Sequence, residues 1–485
     1  MNSNLRFSGV FCVLGWLMIL ESGFLIFPTV VSVIYREPDW WTFLCASAGA
    51  GVCGSILTGL FRGRFSRLSR MDAYLITPLV WVSFSLFGMI PFMLADVPLD
   101  LSSAFFETMS GFTTTGATVI SDVEVCSHGL LFWRSLIQWI GGLGIVLFIL
   151  AVLPALNQDG GIFMFNAEMT GISHDKLHPR IRQTAKTLWG VYGILTVLLM
   201  IILWGGPMDL FDSVCHSMTT LSTGGFSTRN ASIAAFDSSY VASAVTAFML
   251  IGGMNFALIY NLCRGDFSSV RRNTALKTYI LVVVISALVV SMSIAVSGMD
   301  STADNRVLKP LFLVASAITT TGFTYGDFAG YGPVALSVVF MLMFSGACAG
   351  STTGAVKIDR LVVWGRGVRN ESMLSIYPNR MLPVEMNGRM VSEAQRSRLS
   401  AFLALYIALI AVGTLAAGVA GFSFTDSLFA VCSCIGNNGL GYGATAAGYG
   451  CMPAALKWVL SFLMLAGRLE LFTVFVIFIP AFWKR

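Results

Sequence analysis

Thr113-Thr114-Thr115-Gly116-Ala117-Thr118 is the first of four closely similar stretches that decide the fold of this chain. The other three are Ser222-Thr223-Gly224-Gly225-Phe226-Ser227, Thr319-Thr320-Thr321-Gly322-Phe323-Thr324 and Gly436-Asn437-Asn438-Gly439-Leu440-Gly441. Their central glycines are 109, 97 and 117 residues apart, and each stretch follows a short apolar segment and precedes a long one. Four glycine-centred turns at this spacing predict four copies of one structural unit in a single chain.

Composition places the whole chain in a membrane. Of its 485 residues, 56% are hydrophobic and 11% are charged, with a mean hydropathy of +0.77. An average soluble domain is roughly 25% charged, so this chain has too few charges to cover itself with a water-compatible surface. The apolar stretch from about residue 7 to residue 34 is too long for a signal-peptide core, and we interpret it as a retained membrane span.

Long and short apolar segments alternate along the chain. A bilayer core about 30 Å thick requires about 20 helical residues. Ten segments of that length start near residues 8, 40, 72, 130, 187, 238, 278, 333, 400 and 455, and four segments too short to span lie at 101–112, 208–221, 306–318 and 424–435. Each short segment leads into one of the four glycine turns. We therefore predict a two-helix preface at 1–71 and four repeats at 72–156, 157–265, 266–370 and 371–485, the last of which includes a cytosolic loop.

The distribution of lysine and arginine predicts the orientation. With the N-terminus inside, the loops and ends on that side carry 23 basic residues and the opposite side carries six. This bias predicts cytoplasmic N- and C-termini, with the short segments entering from outside. The basic loops either set the topology and contact lipid headgroups or dock a cytosolic subunit, for which the loop at 357–399 is the best candidate. Because the net charge of +5 is spread over separate loops, we expect no nucleic-acid partner.

The turns have the chemistry of a cation site. Non-helical backbone at membrane depth is tolerated only where it is buried in protein or lines a water-filled path. Glycine permits a positive φ, and threonine before glycine offers a carbonyl oxygen and a hydroxyl. Four such turns around one axis can supply layers of oxygen ligands, and the C-terminal ends of the short helices carry partial negative charge that favours a cation. The alternative is four re-entrant turns that pack against their neighbours without an ion.

The turns and their spacing resemble those of the membrane subunit of Trk-type potassium uptake systems, within the Trk/Ktr/HKT superfamily, over almost the whole chain. The resemblance implies an all-α polytopic protein of the bacterial inner membrane, with four helix–pore-loop–helix repeats around a pseudo-fourfold pore plus two N-terminal helices. It implies K⁺ as the transported ion, with oxygen ligands from Thr114, Thr115, Thr223, Gly224, Thr320, Thr321, Asn437 and Asn438. The filter glycines are Gly116, Gly225, Gly322 and Gly439. In the family a serine at the first of these positions is associated with sodium transport, so four glycines predict K⁺ over Na⁺.

A gate is predicted below the turns. Residues 344–354 weaken a helix with Gly346, Gly350 and Gly354, and the alternative is a kink or a close helix contact. Arg468 lies in the last span, and charged residues at membrane depth are rare and usually functional. The alternative is a structural ion pair, for which Glu470 is poorly placed on the same helix. The resemblance implies that the segment obstructs the pore and that Arg468 forms an electrostatic barrier.

The resemblance also implies partners. It implies a homodimer and a cytosolic nucleotide-binding ring that binds NAD and ATP. In this chain Gly141-Gly142-Leu143-Gly144 lacks the strand–turn–helix setting of a phosphate-binding loop, so nucleotide control is expected to come from the partner. No covalent cofactor or enzymatic activity is expected, because the spans offer almost no acids, histidines or nucleophile–base pairs. An inverted-repeat carrier is disfavoured because the four repeats run in the same direction. The remaining alternative is a sodium-permeable or cation/proton-coupled transporter on the same scaffold.

Overall fold

The computed structural model describes residues 7–61, 69–96, 98–144, 181–297, 304–380 and 382–483, and these are mostly α-helical. Their α-helices are α1 Phe7–Ile34, α2 Trp40–Leu60, α3 Arg70–Gly88, α4 Ile90–Leu94, α5 Leu101–Phe112, α6 His128–Gly142, α7 Ile181–Trp204, α8 Leu210–Leu221, α9 Ser239–Gly252, α10 Phe256–Cys263, α11 Phe267–Arg272, α12 Thr274–Val296, α13 Lys309–Ile318, α14 Gly332–Ser345, α15 Ile358–Ile376, α16 Glu393–Val419, α17 Phe424–Ile435, α18 Ala454–Arg468, α19 Leu471–Phe475 and α20 Pro480–Trp483. A short antiparallel hairpin joins β1 Glu385–Met386 to β2 Arg389–Met390.

The N-terminal preface is a helical hairpin. α1 and α2 pack along each other, and α1 also contacts α3 and α6 of the first repeat. A Cβ atom added to Gly15 would lie 2.8 Å from the carbonyl oxygen of Gly54, and one added to Gly54 would lie 2.6 Å from the carbonyl oxygen of Gly15. Glycine at this crossing therefore lets the two helix backbones touch, as small residues do between membrane helices.

Four short helices stand where the sequence predicts them. α5, α8, α13 and α17 begin and end within three residues of the predicted short segments. A long helix precedes each: α3 with α4, then α7, α12 and α16. Among the described residues, six helices are long and apolar enough to cross a membrane, and these are the two preface helices and the first helix of each repeat.

The second helix of each repeat is shorter than the segments of spanning length predicted from near residues 130, 238, 333 and 455. α6, α9, α14 and α18 are 14 or 15 residues long, or about 22 Å, less than the hydrocarbon thickness. The chain bends by 103° between α9 and α10 and by 117° after α18. The second helices end where they meet the bases of the turns. A Cβ on Gly141 would strike the carbonyl oxygen of Phe112, and one on Gly467 would strike that of Ile435.

The repeats form a closed ring. Each second helix packs on the short helix of the following repeat: α6 on α8, α9 on α13, α14 on α17, and α18 on α5. This cyclic order is the pseudo-fourfold architecture that the resemblance implies. The residue limits of the repeats stay a prediction, and the boundary between the first two, at 156 and 157, lies outside the described residues.

The segment predicted as a cytosolic loop at 357–399 is largely structured. α15 occupies its first half, the β hairpin follows, and α16 begins at Glu393 behind a capping box formed by Ser392 and Gln395. The hairpin turns at Asn387 and Gly388, which both have positive φ, as tight two-residue turns require.

Candidate functional site

The four glycine turns share one backbone conformation at the ends of the short helices. In the first repeat the N–H of Thr114 donates to the carbonyl oxygen of Gly111 over 3.0 Å, and that of Thr115 donates to Ser110 over 2.8 Å. This is the Schellman motif that commonly ends helices. The same pair of bonds forms in the other repeats, with donors Thr223 and Gly224, Thr320 and Thr321, and Asn437 and Asn438. Because backbone groups make the motif, the asparagines of the fourth repeat fit it as well as threonine does.

Positive φ values recur at alternate residues along each turn. φ is +54° at Thr114 and +79° at Gly116, with closely similar values at Thr223 and Gly225, Thr320 and Gly322, and Asn437 and Gly439. Such alternation leaves room for successive carbonyl groups to point the same way. Positive φ is strained for threonine, a β-branched residue. Strain of this kind clusters at functional sites, where the surrounding structure holds it in place.

The turns converge on one axis. A Cβ atom added to Gly116 would meet the carbonyl oxygen of Gly224 in the second repeat. In the same way Gly225 lies against Thr321, Gly322 against Asn438, and Gly439 against Thr115. The eight predicted ligand residues are buried, whereas the four glycines that follow them are partly exposed. The structure therefore brings all twelve residues together, with glycine backbone at the accessible face of the ring.

Several oxygen atoms at the ring are buried without a hydrogen-bond partner. They are the hydroxyl of Thr114 and the side-chain carbonyl oxygens of Asn437 and Asn438. A buried polar atom without a partner is costly and calls for an explanation. Oxygen atoms of this kind are what K⁺ or an ordered water would bind, so the donor set fits a desolvated cation.

Polar side chains cap the N-terminal ends of three short helices, α5, α8 and α17. Asp100 accepts from the N–H groups of Ser102 and Ser103 at the start of α5, and Asp209 accepts from that of Asp212 at the start of α8. Hydrogen bonds from the Ser102 and Ser103 side chains lower the pKa of Asp100 to about 2, so this carboxylate stays charged at the positive end of its helix. The opposite, negative ends face the ring.

The segment between α14 and α15 lies against three turns, at the ends that join the short helices. Thr352 Oγ1 is 3.1 Å from the carbonyl oxygen of Leu221, at the base of the second turn. The N–H of Gly354 donates to Thr320 Oγ1 over 2.9 Å in the third turn. A Cβ atom on Gly354 would meet the carbonyl oxygen of Gly436 in the fourth. The other two predicted gate glycines, Gly346 and Gly350, have φ values of +63° and +77°.

Hydrogen bonds from Arg468 connect the segment between α14 and α15 to the first repeat. Its guanidinium donates to the carbonyl oxygens of Thr352 and Gly141, each over 2.6 Å, and also to that of Gly142. Glu470 instead forms an ion pair with Arg360 of α15. Arg468 is therefore placed beneath the ring, in contact with the predicted gate.

A buried ion pair behind the ring is not predicted by the sequence, in which Arg134 is one of the six basic residues assigned to the side opposite the N-terminus. Arg134 and Glu107 are 2% and 0% exposed, and Arg134 Nε is 3.0 Å from Glu107 Oε1. Arg134 also donates to the carbonyl oxygen of Ser227 and to Thr118 Oγ1, while Glu107 accepts from Thr118. The pair thus joins the first and second turns at the ends that follow their filter glycines. The signal in the sequence that could have indicated this ion pair is the charge of Arg134 within the otherwise apolar helix α6.

These features define a membrane-spanning transport protein whose pseudo-fourfold pore is built from one chain. Residues 53–485 match the model of the TrkH family of cation transport proteins, and the chain belongs to this family. The resemblance seen in the sequence is thereby confirmed.

Similarity to individual members covers nearly the full length. The chain is 34% identical to the Trk system potassium uptake protein TrkH of Escherichia coli K12, over 99% of this chain and 100% of that protein. It is 33% identical to TrkH of Halomonas elongata, over 98% of each. The crystal structure of the potassium transporter TrkH from Vibrio parahaemolyticus superposes with a TM-score of 0.89 at 29% identity, covering 99% of this chain and 100% of that chain.

Proposed function

We propose that this chain takes up K⁺ across the bacterial inner membrane through the ring of turns. The observation that carries the proposal is the cyclic contact of the four glycines with carbonyl oxygens of the next repeat, since it gathers four equivalent backbone segments around one axis. The names of the relatives, which are potassium uptake proteins, support K⁺ as the ion. Transport of this kind needs no covalent chemistry, so we assign no enzymatic activity.

The ion is held by oxygen atoms of the eight residues that precede the filter glycines. Their carbonyl groups replace the hydration shell, and the unpartnered oxygens of Thr114, Asn437 and Asn438 add to them. Glycine at all four filter positions keeps side chains out of the ring, which favours K⁺ over Na⁺.

Cation flux into liposomes tests this function. Purified protein should admit K⁺ at least about ten times faster than Na⁺ under matched gradients, a difference of about 1.4 kcal/mol in the barrier. Equal Na⁺ flux would contradict the selectivity, and obligatory proton movement with K⁺ would favour the cation/proton-coupled alternative.

We further propose that the segment with Gly346, Gly350 and Gly354 closes the pore and that Arg468 holds it in place. The contacts of Thr352 and Gly354 with three turns put the segment across the inner end of the ring. The positive charge of Arg468 at this point also repels an approaching cation.

Arg468→Ala should raise K⁺ flux in the resting state by about tenfold. The substitution removes three hydrogen bonds from a charged donor together with the repelling charge, and a tenfold rise requires that this weakens the closed state by about 1.4 kcal/mol. Arg468→Lys is the matched control, because it retains the charge without the planar fork. A lysine variant that leaks like alanine would assign the effect to the hydrogen bonds. Unchanged flux in the alanine variant would remove Arg468 from the gate.

We also propose how the gate is regulated and how the chain assembles. We infer that the termini and α15 with its hairpin face the cytoplasm, where a nucleotide-binding ring controls the gate through NAD and ATP, and that two chains form a homodimer. The basic residues of this side support that orientation, and α15 supports a direct link because it continues from the gate segment.

A further inference from the structure

Two residues that break the fourfold repeat pattern contact each other in the structure. One of them lies in a second helix. Each of these helices has a fully buried residue three positions before the glycine at its break, Gly141, Gly252, Gly346 or Gly467. That residue is Gln138 in the first repeat, and Met249, Met343 and Met464 in the other three. A buried amide thus replaces an apolar side chain in one repeat of four.

The second exception is in the turns, at the residue just before the filter glycine. The side chain of this residue supports its own turn in the first and third repeats, and in the fourth it reaches the short helix of the third repeat. The hydroxyl groups of Thr115 and Thr321 bond to the threonines two residues earlier, over 2.8 and 2.7 Å. Asn438 donates to the carbonyl oxygen of Ala317 over 2.8 Å. In the second repeat the corresponding residue is Gly224, which has no side chain to do this.

Gln138 supplies what Gly224 lacks. Since α6 packs on α8, the side chain of Gln138 reaches the second turn. Its Nε2 donates to the carbonyl oxygen of Gly224 over 2.7 Å, and its Oε1 accepts from the N–H of Phe226 over 3.1 Å. A Cβ atom on Gly224 would fall on the carboxamide of Gln138. One amide therefore fills the missing side-chain space and holds the backbone on both sides of Gly225.

We propose that Gln138 is a positioning residue that sets the discrimination between K⁺ and Na⁺ in the second turn, an inference that rests on the proposed function. A carbonyl oxygen has two lone pairs. The amide of Gln138 donates to one lone pair of the Gly224 oxygen, and the other remains for the ion. This hydrogen bond fixes the position of the oxygen and weakens the electric field that the oxygen exerts on the ion. Both effects oppose the closer approach that the smaller Na⁺ requires, because selectivity depends on cavity size and on the strength of the carbonyl dipoles.

Gln138→Met tests the inference, since methionine stands at this position in the other repeats. The K⁺/Na⁺ permeability ratio in liposomes should fall by about tenfold, the size expected from losing a buried hydrogen bond. The matched control is Gln183→Met, the same chemical change at an exposed position in the first turn of α7, which should leave the ratio unchanged.

A double variant separates this role from general packing. Gly224→Thr alone displaces the carboxamide and should also lower the ratio. Gln138→Met with Gly224→Thr recreates the combination found at the third turn, where Thr321 precedes the filter glycine and Met249 is the equivalent residue of the helix that packs on the third short helix. The double variant should return to within about threefold of the wild type, and it keeps the test available if Gln138→Met does not fold. A double variant no better than Gly224→Thr alone would overturn the inference.

Two further results separate the role of Gln138 from the proposed function. A wild type that carries no K⁺ overturns the proposed function and this inference with it. A selective wild type accompanied by an equally selective, folded Gln138→Met variant overturns the inference alone.

Discussion

Gly116→Ser is expected to lower the K⁺/Na⁺ permeability ratio by about a hundredfold. A Cβ atom at this position meets the carbonyl oxygen of Gly224, and the φ of +79° is one that L residues rarely adopt. Serine must therefore displace a predicted ligand of the second repeat or twist its own turn. A hundredfold change corresponds to about 2.7 kcal/mol, and the left-handed conformation alone costs roughly 1–2 kcal/mol. Flux of the two cations into liposomes under matched gradients measures the ratio.

Gly265→Ser is the matched control for this substitution. Gly265 has a φ of +84° but no atom within 4 Å of an added Cβ, so the variant reproduces the backbone strain without the carbonyl contact. It should keep the wild-type ratio. If Gly116→Ser folds and stays as selective as the wild type, the first turn does not line the filter.

Glu107→Leu is expected to destabilise the protein by about 3–5 kcal/mol, because it leaves the buried guanidinium of Arg134 without its counter-charge. The double variant Glu107→Leu with Arg134→Met should recover most of this loss, since apolar residues of similar volume often replace buried ion pairs at little cost. Thermal unfolding in detergent measures both. The same double variant should still change selectivity, because Arg134 also holds the carbonyl oxygen of Ser227.

An exposed pair provides the comparison for this cycle. Arg396 lies 3.5 Å from Glu393 in the first turn of α16, and their side chains are 28% and 91% exposed. Solvent screens such a pair, so Arg396→Ala should cost about 1 kcal/mol or less. A Glu107→Leu variant with a similarly small loss would mean that water or another group compensates Arg134, and the pair would not brace the first two turns.

Local patterns predicted the turns and the short helices well. Each short helix is amphipathic and has a glycine turn after it. Three of the four also have a polar cap before them, and α13 instead has Pro310 in its first turn, so both ends have signals in neighbouring residues. The second helices were harder because their composition is apolar on both sides of the break. Hydropathy therefore extended α9 and α18 through bends of 103° and 117°. The bends follow from contact with the turns, which no window of sequence contains.

The residues behind the ring were also only partly predictable from the sequence. A charge or an amide in an apolar helix indicates that Arg134 and Gln138 have partners, but not which partners. Gln138 meets Gly224, 86 residues away, only because α6 packs on the short helix of the next repeat.

The amino-acid sequence by itself determined that the chain spans a membrane, that it repeats one unit four times, and that each unit ends a short helix in a glycine turn. These properties depend on composition and on hydrogen bonds between near neighbours. Only the tertiary structure decided that Gly439 closes the ring on Thr115 and that Arg468 reaches Gly141, 327 residues away. The reason is physical: such contacts arise from how helices far apart in the chain pack together, and packing depends on the shapes of all of them at once.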